Sequence, residues 1–143
     1  MSTLPRIFLL WTIVALPRAH AETLDVAPDG SATYDTVGAA LAVAQAGDVI
    51  SLAAGTYSAA TNGEVYPLTL TAGQTLQGVG MGATVLDGAY ESGLLEITWT
   101  EGDPATVRDL TLTRGEAPLD SDADVLYLWQ AEATVERVQL QSN

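Results

Sequence analysis

The residues able to do chemistry in this chain are few, and carboxylates dominate them. Asp120, Asp122 and Asp124 alternate with Ser121 and Ala123. Carboxylates at that spacing can converge on a hard cation such as calcium. An EF-hand loop would need Gly at its sixth position and Glu at its twelfth, where this chain has Val125 and Ala131. An acidic turn between two structural elements accounts for the same run. The chemistry on offer therefore requires no cofactor and admits calcium. Immediately downstream, Val125, Tyr127 and Trp129 recur two apart, which puts them on one face of a strand. Two aromatic rings on one face can stack against sugar rings, so Tyr127 and Trp129 are the candidate carbohydrate-binding pair. A covering segment, or a register shifted by one residue, would remove that face instead.

The missing residue types exclude several chemistries. The only His is His20, and there is no Cys and no Lys. Residues 1–21 read as a signal peptide: Arg6 ahead of the apolar run Ile7 to Leu16, then Ala19-His20-Ala21 as the cleavage signal. The run is too short to span a membrane, which takes about 20 apolar residues. Once it is removed the chain has no His, so a Ser-His-Asp triad, a Cys-His dyad and a His-bound zinc are excluded. Amine bases and Schiff bases fall with Lys. No catalytic residue is assigned. Arg108, Arg114 and Arg137 then stand against 18 carboxylates. A surface of that sign repels nucleic acid and anionic membranes and attracts cations; it equally suits a saline habitat. The expected location is secreted, extracellular or cell-surface, or periplasmic.

The elements that hold these residues show in a repeat. Residues 105–115 read ATVRDLTLTRG and residues 133–143 read ATVERVQLQSN, an offset of 28. Val107, Leu110 and Leu112 in the first copy match Val135, Val138 and Leu140 in the second. One flat strand would keep inward residues two apart throughout. Here the spacing is three, then two, in both copies, which predicts two short strands meeting at a corner. Stacked corners place like strands side by side in parallel, the arrangement of a parallel β-helix. The same offset sets Arg108 over Glu136 and Asp109 over Arg137, and opposite charges on adjacent strands attract by about 0.2–1 kcal/mol. Structural pairing accounts for Arg108 and Arg137 better than base chemistry does. Arg114 has no such partner and is expected to be solvated.

Upstream, Ala27-Pro28-Asp29-Gly30 signals a turn. Val37, Ala40, Leu41 and Ala44 form a helix stripe, with Asp35 or Thr36 as N-cap and Gly47 past its end. Such a helix is placed to cap one end of the core. Val49 to Leu52 reads as the first buried strand, and Gly55-Thr56-Tyr57 as a turn away from it. Further strands are expected at Leu68 and Leu70, at Leu76, at Val85-Leu86, at Leu94 to Trp99 and at Val125 to Trp129. An offset of 31 would set Ile97 over Leu128 and Thr98 over Trp129, whereas 30 would set Trp99 over Trp129. The organisation is thus 1–21 signal peptide, 22–48 N-terminal cap with helix, and 49–143 coils.

The stretch VAPDGSATYDTVGAALAVAQAGDVISLAAGTYS, followed by GQTLQGVGMGATVLDG, resembles the N-terminal part of right-handed β-helix proteins of the pectate-lyase-like superfamily, in particular the DUF1565 type. Pectin methylesterases open similarly. The resemblance implies an all-β, right-handed parallel β-helix with a short N-terminal capping α-helix, here as an incomplete set of coils. It is weak on function, because this fold hosts lyases, hydrolases, esterases and adhesins. Lyases of the superfamily use calcium with an Arg or Lys base, and the esterases use paired aspartates in a motif that is absent here. Two functions are therefore expected. One is a secreted, non-catalytic module serving as surface scaffold or carbohydrate-recognition platform for an acidic or neutral polysaccharide. The other is the N-terminal portion of a polysaccharide-active lyase, esterase or hydrolase whose active site lies beyond residue 143. Self-association through an exposed C-terminal coil is expected as well.

Overall fold

The computed structural model describes residues 20–98, 102–116 and 125–141. The signal-peptide expectation for residues 1–21 falls almost wholly, and the acidic run Asp120, Asp122 and Asp124 wholly, outside the described residues.

Among the described residues, ten strands and one short helix follow in the order β1 Thr23–Val26, α1 Val37–Leu41, β2 Val49–Leu52, β3 Gly55–Tyr57, β4 Leu68–Leu70, β5 Thr75–Gln77, β6 Thr84–Asp87, β7 Leu95–Thr98, β8 Ala105–Thr113, β9 Leu126–Trp129 and β10 Ala133–Gln141. All pairings between strands are parallel. β1, β2 and β5 stack onto the first arm of β8, while β3 and β6 stack onto its second arm. β10 pairs with β8 along both arms, and β4, β7 and β9 form a separate three-stranded sheet. The chain is a parallel β-helix of about four turns.

The three-then-two spacing has a backbone cause. Asp109 and Arg137 sit at the corner with φ of 58° and 49°, a left-handed conformation that flips the inward face by one residue. Val107 and Leu112 are each 1% exposed, and Leu110 between them is fully buried. Inward side chains stack in layers, as where Ile50, Leu76 and Val107 lie in one row across β2, β5 and β8. Each such buried aliphatic side chain contributes about 1.5–3 kcal/mol, and polar spacers face outward.

In the coil below β8 the corner is Gly78. Between its two arms this coil uses Gly78 to Thr84 where Asp109 and Leu110 suffice in the next coil. A Cβ on Gly78 would lie 2.3 Å from the Asp109 carbonyl oxygen, so only glycine lets the two corners stack.

Two elements differ from the sequence reading. The first buried strand is β1, ahead of Val49, with Leu24 and Val26 buried and paired to Ile50 and Leu52. The segment Gly55–Tyr57 is a strand rather than a turn, and Tyr57 is fully buried. Gly55 is required there because Pro28 Cγ lies 2.7 Å from where its Cβ would be. The capping helix is present but five residues long. Thr36 is its N-cap, accepting from the Ala39 N–H at 3.2 Å. Val37 and Ala40 are fully buried against the first coil. Among the described residues no helix is long and apolar enough to cross a membrane.

Candidate functional site

β9 carries the aromatic pair on the outer face of the β4–β7–β9 sheet. Its register sets Leu126 and Leu128 beside Leu95 and Ile97, which point into the core. Tyr127 and Trp129 therefore face away from the core, beside Glu96 and Thr98. This is the offset of 31; the alternative of 30 does not occur. The two ring centroids are 6.2 Å apart with planes tilted by 31°, and Trp129 is 56% exposed. Val125 leaves the set, because it is half-buried and packs against the core. Thr69, Glu96 and Tyr127 make one outward row across the three strands. The face thus offers two ring surfaces, a carboxylate and hydroxyls. Aromatic rings can in general stack on the apolar faces of a pyranose, and carboxylates and hydroxyls can bond its OH groups. Glycoside hydrolysis uses a pair of carboxyl groups flanking the bond, and among the described residues of these three strands Glu96 is the one carboxylate on this face.

The arginines are held by partners one coil away. Arg137 donates from Nε to Asp109 Oδ1 at 2.5 Å and from Nη2 to Asp109 Oδ2 at 2.8 Å. Hydrogen bonding from Arg137 holds the Asp109 carboxyl below its usual range, against an opposing effect of desolvation. Arg108 sits beside Glu136 in register but bonds the coil below: its Nε and Nη2 reach Gln77 Oε1 at 3.1 and 2.7 Å. Gln77 lies directly across from Arg108 on β5. Glu136 instead approaches Arg137 at 3.6 Å.

Arg114 is not a solvated lone arginine. Its Nε donates to Asp87 Oδ1 at 2.7 Å and its Nη2 donates to Asp87 Oδ2. Its guanidinium also lies 5.9 Å from the Tyr90 ring centroid, within cation–π range. The offset from Asp87 to Arg114 is 27 residues, close to one coil. A search for opposite charges one coil apart would have found it.

A cleft of about 330 Å³ lies beside this pair, lined by Glu64, Tyr66, Asp87, Gly88, Glu91 and Ser92 among others. Glu64, Tyr66 and Asp87 in this lining are committed to structure. Glu64, 2% exposed, accepts from the Val37 and Gly38 N–H groups of α1 at 2.7 and 3.0 Å. Tyr66 donates to the Tyr57 carbonyl at 2.6 Å, and burial raises its pKa. Asp87 accepts from the Ala89 N–H as well as from Arg114. Glu64 was missed from sequence because nothing local marks a carboxylate as the cap of a helix 27 residues upstream. Among the described residues no group of three or more His, Cys, Asp or Glu could hold a metal ion. The calcium candidate Asp120, Asp122 and Asp124 lies outside them.

Parallel coils closed by a helix at one end define a β-solenoid. Residues 25–117 match the family model described as Protein of unknown function (DUF1565), and the chain belongs to that family. No curated protein and no solved structure matches it.

Proposed function

We propose that this chain is a secreted β-helix module that serves as a surface scaffold and recognises carbohydrate without transforming it. The observation that carries the reading is the outward pair Tyr127 and Trp129, 6.2 Å apart on one strand. Aromatic rings on rigid elements bind with little loss of conformational freedom. The neighbouring Glu96 and Thr98 supply directional polar contacts. The absence of Lys and Cys, and of His after residue 20, leaves few groups for acid–base or covalent chemistry. The ligand class is a polysaccharide chain, with calcium not required.

Affinity electrophoresis through gels containing neutral or acidic polysaccharides tests the reading. Retardation by at least one polysaccharide is expected. Trp129→Ala should weaken it by about 1–2 kcal/mol, roughly 5- to 30-fold in affinity. Tyr127→Ala should act in the same direction. Unretarded migration in every gel, or retardation unchanged in both variants, refutes the platform.

A further inference from the structure

The face that carries Tyr127 and Trp129 bears one sign of charge. Its outward rows are Thr69, Glu96 and Tyr127, and then Thr98 with Trp129. Glu96 is half-buried and, among the described residues, takes part in no ion pair. An ionised carboxylate accepts hydrogen bonds and donates none.

The sequence around these strands supplies nothing to neutralise that charge. Residues 21–107, which include β4 and β7, hold no Lys, Arg or His. Residues 115–136, which include β9, hold Glu116, Asp120, Asp122, Asp124, Glu132 and Glu136 and again no base. The arginines outside these stretches that the structure describes are engaged elsewhere. Arg114 is paired with Asp87 and Arg137 with Asp109. Arg108 lies on β8, in the other sheet, and bonds Gln77. A ligand bearing carboxylate or sulfate groups would therefore meet Glu96 with no cation between them. An uncharged sugar avoids that repulsion, and its hydroxyls can donate to the same carboxylate.

We propose that the polysaccharide recognised on this face is an uncharged one, and that Glu96 is the residue that rejects anionic chains. This inference rests on the carbohydrate platform proposed above and adds its specificity. The sugar chain lies along β9 over Tyr127 and Trp129, with Glu96 and Thr98 beside it on β7. The discrimination is a charge effect at a water-exposed surface, so it weakens as salt is raised.

Affinity electrophoresis on matched chains tests it. Hydroxyethyl cellulose, dextran and galactan are compared with carboxymethylated forms of the same backbones, and with polygalacturonate. Each mobility is referred to that of the same protein in a gel without polysaccharide, and calcium is chelated. An uncharged chain is expected to bind about fivefold or more tightly than its anionic form at low salt. Glu96→Gln should lower that ratio by about threefold, and Glu96→Arg should bring it to about one or below. Anionic chains binding as well as uncharged ones, or a ratio unchanged in both variants, overturns the specificity and leaves the platform standing. Strong binding of anionic chains on adding calcium overturns it too, because a bridging cation would then set the preference. Unretarded migration in every gel refutes the platform and this inference together.

Discussion

Arg137 clamps Asp109 through two hydrogen bonds, Nε to Oδ1 at 2.5 Å and Nη2 to Oδ2 at 2.8 Å, with both residues in left-handed backbone at the same corner of successive coils. A left-handed turn disfavours most side chains by roughly 1–2 kcal/mol, though Asp tolerates it better than most. The ion pair offsets part of that cost and fixes the vertical register.

The pair has a definite acid limit. The folded Asp109 pKa is lowered, first by the hydrogen bond from Arg137. Its stabilisation is therefore complete above the unfolded carboxyl value of about 3.9 and is lost as pH falls through the lower folded value. Asp109→Asn should lower the melting temperature by a constant amount above about pH 4. That gap should narrow below pH 4 as the native pair is itself protonated. A gap that widens on acidification would contradict the assignment, and thermal melts across the acid range decide it.

Whatever depended on the coil repeat was legible in the sequence, and whatever depended on a single long-range contact was not. The 28-residue offset located the corner, the Asp109–Arg137 pair and the pairing of β10 with β8. The outward direction of Tyr127 and Trp129 followed from alternation with Leu126 and Leu128. β1 was hidden because only Leu24 and Val26 alternate before the turn at Pro28. Gly55 reads as a turn residue because glycine signals turns, yet its role is to admit the Pro28 ring. Arg108 has candidate partners on both adjacent coils, and repeat pairing cannot choose between Glu136 above and Gln77 below. Geometry chooses Gln77.

The helix cap depends on Glu64. Its carboxylate takes the first N–H groups of α1, which are otherwise left without partners in a buried setting. Glu64→Ala should cost about 1–3 kcal/mol in urea unfolding. Glu64→Gln, which keeps an acceptor oxygen, should cost less. Amide exchange at Val37 and Gly38 should accelerate in the alanine variant ahead of the coils. Equal protection in both proteins would show that the helix holds without this carboxylate.

Gly78→Ala tests the stacked corners. The added methyl would meet the Asp109 carbonyl oxygen at 2.3 Å and Thr84 Cβ at 2.8 Å, both parts of neighbouring backbone or rigid side chain. A loss of about 1–3 kcal/mol is expected. Val79→Ala, one residue on and 62% exposed, should stay within about 0.5 kcal/mol. Similar losses for the two would place the constraint in the loop rather than at the corner.

Tyr57 sets an alkaline limit in the first coil. Its hydroxyl donates to the Val26 and Ala53 carbonyls at 3.0 and 3.1 Å, and its side chain is fully buried. Burial pushes the phenol up to about 12. A tyrosine in the unfolded chain ionises at about 10, so the stabilisation from keeping Tyr57 neutral is complete below pH 10 and is lost as pH rises through the folded value. Tyr66, raised by burial in the same direction, adds to the same alkaline limb. Tyr57→Phe should cost about 0.5–1.5 kcal/mol at neutral pH through the lost hydrogen bonds. Phe cannot ionise, so the variant should lose less further stability than the parent between about pH 10 and 12. The parent should unfold there together with a rise in tyrosinate absorbance. Parallel alkaline curves for parent and variant would assign that limb to Tyr66 instead.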